Sequence, residues 1–225
     1  MKVSIVIPTL DERNHIGFLL SDLEPLRQTG HEVIIADGGS TDGTRALAGS
    51  RADRVVLAPR GRASQMNAGA RTAAGDVLWF LHADSRALPG AQSQLLDACR
   101  AGTIWGRFDV RLAGQRPLLR VVERMMNWRS RLTGIATGDQ GIFVTRAVFE
   151  AVGGFPPIPL MEDIALSKVL RRHARPACLS GPILTSSRRW EANGILRTIL
   201  LMWRLRLAYA LGADPRRLAD LYGGR

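Results

Sequence analysis

Lysine is almost missing from this chain. Lys2 and Lys168 stand alone among 31 basic residues, the rest of which are arginine. A phosphate loop of the Walker kind needs a lysine behind a glycine run, and none exists here. No G-x-G-x-x-G follows the first apolar strand either, so P-loop and dinucleotide-dehydrogenase readings drop out. Cysteine is scarce too. Cys99 and Cys178 lie far apart without metal-like spacing, which points to reduced thiols in a cytoplasmic protein rather than to a disulfide framework or a zinc site. Long apolar runs are also lacking. The run from Val3 to Ile7 before Pro8 is too short for a signal-peptide core, and no stretch reaches transmembrane length without charge.

What is present is ordinary for a folded α/β protein: 225 residues, 46% hydrophobic and 23% charged. That length buries one sizeable core, or one domain with a C-terminal appendage. The net charge of +11 favours anionic partners, namely nucleic acid, acidic membrane, phosphorylated metabolites or nucleotides. Charge alone does not choose among them, and the arginine excess is also what a genome-composition bias would give.

Along the chain, Val3 to Ile7 reads as a strand that Pro8 forces to turn out at Thr9-Leu10. Ile16, Leu19, Leu20 and Leu23 recur at helical steps from Glu12 onward until Pro25 and Gly30 end the pattern. Glu32 to Ala36 is a second strand running into the loop Asp37-Gly38-Gly39-Ser40-Thr41-Asp42-Gly43-Thr44. Arg54 to Leu57 is a third strand, Ala63 to Ala74 a small-residue helix, and Val77 to Leu81 a buried fourth strand that delivers Asp84 to its open end. Strands alternating with helices to about residue 100 imply right-handed crossovers and a mostly parallel sheet, covered by helices on both faces. Beyond that point the pattern loosens. Ile104 to Val110 and Gln140 to Val144 look like strands, whereas Leu118 to Leu132, Asp163 to Arg172 and Ile195 to Leu211 look helical. Asp214-Pro215 opens a last short helix.

Several groups of residues suit phosphate-sugar chemistry, each with a plainer alternative. Asp37-Gly38 follows a strand, where a carboxylate can accept from a base or ribose; a turn with a helix cap reads equally from those residues. Arg60 and Arg62 flank the entry to a helix whose N-H groups favour anions, or they are solvated surface arginines. His82-Ala83-Asp84 offers a divalent cation one carboxylate at a strand end, or Asp84 merely caps the next helix. Glu162-Asp163 heads a helix and complements its dipole even without a catalytic role. Arg188-Arg189-Trp190 reads as a phosphate clamp with an aromatic platform or as surface packing.

Taken in order, these pieces resemble the family 2 glycosyltransferases of the GT-A fold from residue 2 to about 190. Val6-Ile7-Pro8-Thr9-Leu10-Asp11-Glu12 resembles the family's opening strand and turn. Asp37 to Thr44 resembles its nucleotide loop, and Ala68-Gly69-Ala70 through Gly75-Asp76 the helix leading to the metal strand. Arg60 to Asn67 further resembles a bacterial subgroup of uncharacterised members. The resemblance implies a Rossmann-like GT-A domain over 1–190, with 191–225 as a helical extension on that domain, a partner subunit or a membrane. It implies that Pro8, Thr9, Glu12, Asp37 and Gly38 sit at the nucleoside, and that Arg62 and Asn67 lie near the base or diphosphate. His82, Ala83, Arg189 and Trp190 join the donor site, and Asp84 binds Mg²⁺ or Mn²⁺. Asp163, paired with Glu162, is the implied base for inverting transfer of a single sugar from a UDP- or GDP-type donor to a hydroxyl acceptor.

Two departures stand out. His82 occupies the place of the family's first motif aspartate, and Ser186 stands where processive synthases carry a glutamine ahead of Arg189-Trp190. The second departure, with the lack of membrane spans, argues against polymer extrusion. The helix over 195–211 carries Arg197, Arg204 and Arg206 among apolar residues, suiting contact with the inner face of a membrane, the domain's own core or a second copy. A nucleotidyltransferase making activated sugars, or a basic binder of nucleic acid or membrane, would be the competing readings. No interleaving of aromatic and basic residues supports nucleic acid.

Overall fold

The computed structural model describes residues 1–223. The first half builds β1 (Val3–Thr9), α1 (Arg13–Gln28), β2 (Glu32–Asp37), α2 (Thr44–Gly49), β3 (Arg54–Leu57), α3 (Arg62–Thr72) and β4 (Val77–Phe80). A short β5 (Arg86–Ala87) and α4 (Ala91–Arg100) follow, then β6 (Trp105–Leu112) and α5 (Pro117–Thr133). A tight turn at Gly138–Gln140 leads to β7 (Phe143–Thr145), α6 (Arg146–Ala151), α7 (Glu162–His173) and β8 (Ala177–Thr185). The chain ends in α8 (Arg188–Asn193), α9 (Ile195–Ala210) and α10 (Pro215–Gly223).

Eight strands form one sheet in the order β3-β2-β1-β4-β7-β6-β8-β5. The β3-β2-β1-β4 half is parallel, as the alternation of the sequence implies, whereas β7 runs antiparallel to both β4 and β6. Alternate residues of the apolar strands go to opposite faces. Ile5, Ile7, Val33, Ile35, Val77 and Trp79 pack under α1 and α4, while Val6, Ile34, Leu78 and Phe80 pack under α3, α6 and α7. A continuous apolar run is thus a strand covered on both sides. Gly69 lets α3 lie close on β1, since a Cβ there would sit 2.5 Å from Val6 Cγ1.

The chain departs from its sequence pattern in three places. The first helix does not stop at Pro25 but continues to Gln28, burying Leu26; the hydrogen bond that proline forfeits is owed by Ser21, whose carbonyl lies on the exposed side. Residues 140–142 belong to a turn and its exit, so the seventh strand begins only at Phe143. The strand β8 carries Gly181 and Pro182 inside it, residues that hide it from pattern reading, and its register against β6 shifts between Phe108 and Val110.

One buried carboxylate ties the strand starts together. Glu32 accepts from the Ser4 hydroxyl, from the Ala74 amide and from the Gly75 amide at 3.2 Å, and lies 3.3 Å from Lys2 Nζ. Burial opposes its charge, but the bonds from Ser4 and Ala74 and the charge of Lys2 hold its pKa below the ordinary carboxylate value. A depressed folded pKa contributes stability above the unfolded value and loses it as pH falls. Glu32→Gln is expected to cost about 1.5–3 kcal/mol of unfolding free energy at neutral pH, the size of a charged hydrogen-bond set. Urea titrations should show that difference shrinking as pH falls below about 4.5, the ordinary value for this carboxyl.

Candidate active site

Parallel strands of this kind leave a crevice beyond their carboxyl ends, and β1, β2 and β4 all end there. Thr9 and Asp37 are register partners at the tips of β1 and β2. Asp37 is completely enclosed. Its Oδ1 accepts from the amides of Ser40 at 2.8 Å and Gly39 at 3.0 Å, and its Oδ2 from the hydroxyls of Thr9 at 3.0 Å and Ser40 at 2.5 Å. Burial works against the carboxylate, yet these donors, Ser40 foremost, hold its pKa low. In this state Asp37 therefore folds the loop. Pro8 precedes Thr9 in the strand, and the Gly38 amide donates to the Thr9 carbonyl at 2.9 Å. Gln65 of α3 braces the same tips, donating to the carbonyls of Thr9 at 2.6 Å and Ala36 at 2.9 Å.

Beyond β4, Ala83 is buried and the Asp84 side chain is 26% exposed. Arg188 Nη2 lies 3.4 Å from Asp84 Oδ2 and 3.9 Å from Glu12 Oε2, so one guanidinium serves two carboxylates. Glu12 also meets His15 Nδ1 at 3.2 Å. Burial first, and then the charge of Asp84, push the Glu12 pKa up. Among the described residues no group of three or more His, Cys, Asp or Glu side chains could hold a metal by itself.

Across the crevice stands the head of α7. Met161 reaches it in the left-handed region at φ +70°, a strained conformation for a side chain of that size. Glu162 is buried and paired with Arg62, whose Nε lies 3.0 Å from Oε1 and whose side chain is 41% exposed. Burial raises the Glu162 pKa against the pull of Arg62. Asp163 Oδ2 accepts from the Gly138 amide at 2.9 Å and Oδ1 from the Ile164 amide at 2.7 Å, which fixes the carboxylate's orientation. His82 connects the two sides. Its Nδ1 lies 3.2 Å from Asp139 Oδ1, in the turn that holds Asp163, and a Cβ on Gly138 would stand 2.4 Å from its Nε2. Desolvation disfavours the imidazolium, but the hydrogen bond and charge of Asp139 outweigh it and raise its pKa. His82 thus faces Asp139, while Asp84 faces Arg188.

Three residues expected at the donor site are engaged elsewhere. Asn67 clamps the backbone of Phe155, donating from Nδ2 at 2.8 Å and accepting at Oδ1 at 2.9 Å. Arg189 stacks on the Tyr222 ring, 3.4 Å from its centroid, and donates to that residue's carbonyl. Trp190 packs with Leu112, Leu119, Val122 and Ile195. A polar side chain beside a functional loop reads alike whether it faces ligand or backbone, so sequence could not separate these roles. Sequence reading also passed over Asp139, whose signal was an acid inside the glycine-bounded turn 138–141, and over Arg129, Tyr209 and Tyr222 on the helices that close the site.

The profile described as "Glycosyl transferase family 2" matches residues 4–149. The chain belongs to that family. Among curated proteins, it is 56% identical over 45 residues to the succinoglycan biosynthesis protein ExoA of Rhizobium meliloti, covering 20% of this chain and 14% of that protein. It is 29% identical over 110 residues to the dolichol-phosphate mannosyltransferase of Pyrococcus furiosus, covering 46% of this chain and 31% of that one. The chain therefore spans less than a third of either relative. Among solved structures, TarS 1-349 of S. aureus superposes with a TM-score of 0.70 at 18% identity, covering 84% of this chain and 61% of that one. Glucosyl-3-phosphoglycerate synthase of Mycobacterium tuberculosis, in complex with Mn²⁺, UDP and glucosyl-3-phosphoglycerate, gives 0.67 at 17% identity, covering 95% and 81%. The fold of this family 2 chain is GT-A.

Proposed function

We propose that this family 2 chain transfers a single sugar from a nucleoside-diphosphate sugar, of the UDP or GDP type, to a hydroxyl acceptor with inversion. The observation that carries the reading is Asp163 held in a fixed orientation by two amides at the head of α7, beside the turn whose Asp139 meets His82, two residues before Asp84. TarS and the mycobacterial synthase have been crystallised with UDP, which supports a nucleotide donor. Asp163 takes the proton from the acceptor hydroxyl as its oxygen attacks the anomeric carbon; the bond to the diphosphate breaks on the opposite side and the nucleoside diphosphate leaves. Arg62 is held by Glu162 with part of its fork free, so it can meet charge developing on the leaving group. The loop that Asp37 folds at the strand tips, from Gly38 to Ser40, forms the nucleoside shelf.

A divalent cation fits the far end. Asp84 and Glu12 already share the cationic Arg188, and a hard ion needs oxygen ligands of that kind, the rest coming from the donor's phosphates and water. When bound, Mg²⁺ or Mn²⁺ would neutralise charge on the departing diphosphate. Arg188 competes for the same carboxylate. Arg188→Gln is expected to tighten Mn²⁺ binding about fivefold by calorimetry, the worth of an exposed ion pair; weaker binding would show that Arg188 does not compete. Thermal-shift titration with UDP and UDP-sugars, with and without Mn²⁺, tests the reading as a whole, because a ligand of the native state raises apparent stability. No response to any nucleotide would sink it.

A membrane contact belongs to the same proposal. On α5, Val121, Met125, Trp128 and Leu132 are exposed at successive turns, and on the adjoining α9 so are Leu196, Leu200, Trp203 and Leu207, with Leu211 just past its end. Every exposed charge on these two helices is an arginine: Arg124, Arg131, Arg197 and Arg204. Apolar stripes with two tryptophans and a purely cationic flank suit the interface of an anionic bilayer. No described helix is long and apolar enough to cross a membrane.

A further inference from the structure

Burying a guanidinium without a partner is costly, and burying two side by side is more so. Arg129 of α5 and Arg206 of α9 are half-buried, and the charge of Arg206 acts on Arg129. Among the described residues the buried Nη2 of each makes no hydrogen bond, and neither arginine forms an ion pair within 4.0 Å. Burial first, and then the charge of Arg206, pull the Arg129 pKa down to about 9; burial pulls Arg206 down as well. A guanidinium stays protonated in neutral water, so the repulsion persists at physiological pH.

The acids near this pair do not relieve it. Asp163 lies within Coulombic reach of both arginines and Asp139 within reach of Arg206, but Asp163 is held by amides and Asp139 by His82. Arg62 and Glu162 neutralise one another. Two positive charges therefore face one carboxylate that has no cation of its own, Asp163, leaving a surplus of about one positive charge. Arg107, the other cation acting on Arg129, is occupied by Asp109 and the Asn127 carbonyl. The surplus lies on Asp163's side of the crevice, whereas the donor-side carboxylates Asp84 and Glu12 have their own cation in Arg188.

We infer that Arg129 and Arg206 are a subsite for a phosphate group carried by the acceptor, placed so that a hydroxyl of the same molecule meets Asp163. Calling the occupant the acceptor rests on the transferase reading above. Paired guanidinium forks match phosphate oxygens, and the phosphate would end the repulsion between them. The subsite joins helices whose outer faces are the exposed apolar stripes, so the phosphate has two sources, a free ester or a lipid headgroup.

Thermal shifts of the full chain at fixed ionic strength decide the matter, with glycerol phosphate as the free ester and dihexanoyl phosphatidic acid as the lipid ester. At about a hundred times its Kd, an occupant of this subsite should raise Tm by about 5 °C or more. The shift should persist when UDP and Mn²⁺ are saturating, vanish in the double variant Arg129→Gln/Arg206→Gln, and survive at least in part in the Lys/Lys pair. Saturation by the lipid ester at about a tenfold lower concentration assigns a headgroup; equal concentrations assign a free ester. The absence of any shift with both esters, an unchanged shift in the Gln/Gln variant, or loss of the shift once UDP is bound would each overturn the subsite. Should UDP itself produce no shift while the phosphate response depends on both arginines, the donor reading fails and the anion site stands.

Discussion

Asp163→Asn is expected to lower the rate of sugar transfer by about 10²–10⁴, the usual worth of a general base, while leaving the affinity for UDP within about twofold of the parent. Asparagine keeps the size of the side chain and one oxygen for the Gly138 amide, giving up only the bond from the neighbouring Ile164 amide. What it lacks is a basic oxygen. The loop proposed to hold the nucleoside, folded around Asp37, and the carboxylates facing Arg188 belong to other strands and loops, which is why binding should survive. Transfer assays at saturating donor, paired with calorimetry of UDP, separate the two. Transfer at the parent rate would remove Asp163 from the chemistry, and a joint loss of affinity would make it a positioning residue.

Replacing Trp128 and Trp203 together by serine should weaken binding to phosphatidylglycerol vesicles by about a hundredfold, since burying each large apolar side chain is worth roughly 1.5–3 kcal/mol and only part of each ring enters the interface. The two rings are 66% and 61% exposed, so stability should hardly change. Vesicle flotation at two salt concentrations adds a second reading, because the arginine flank makes the residual binding salt-sensitive. Unchanged flotation combined with a dimer that dissociates in the variant would instead give the stripe to a second copy of the chain.

The parallel half of the sheet was legible because its strands are apolar on both faces and its helices keep a regular period. The second half was not. The strand β8 carries Pro182 and Gly181, tolerated because it pairs with β6 on one side and only a two-residue strand on the other. Site residues divide on the same principle. Asp84 and Asp163 were visible because each follows a pattern break at an element boundary; the first lies beside Arg188 and the second accepts from the Gly138 amide. Asn67 and Arg189 were visible for the same reason and are committed to backbone and ring contacts instead. Arg129 was hidden among many arginines, and Arg206 read only as one of three arginines on an apolar helix; the packing of α5 beside α9 distinguishes the two from solvated neighbours.

The pairing of β5 with β8 places Arg86 opposite Leu184, so the turn after Asp84 is fastened by a strand made almost a hundred residues later in synthesis. Long-range pairing of that kind cannot form until the late strand has left the ribosome. A nascent chain would therefore fold its β3-β2-β1-β4 half first and hold an unfinished pocket mouth until Thr185 emerges. Arg188 follows immediately behind that strand, and Arg206 and Tyr222 come on the two helices after it. The tips of β1 and β2 thus mature early, whereas the arginine pair stays half-built, with Arg129 in place on α5 long before Arg206 on α9 can join it.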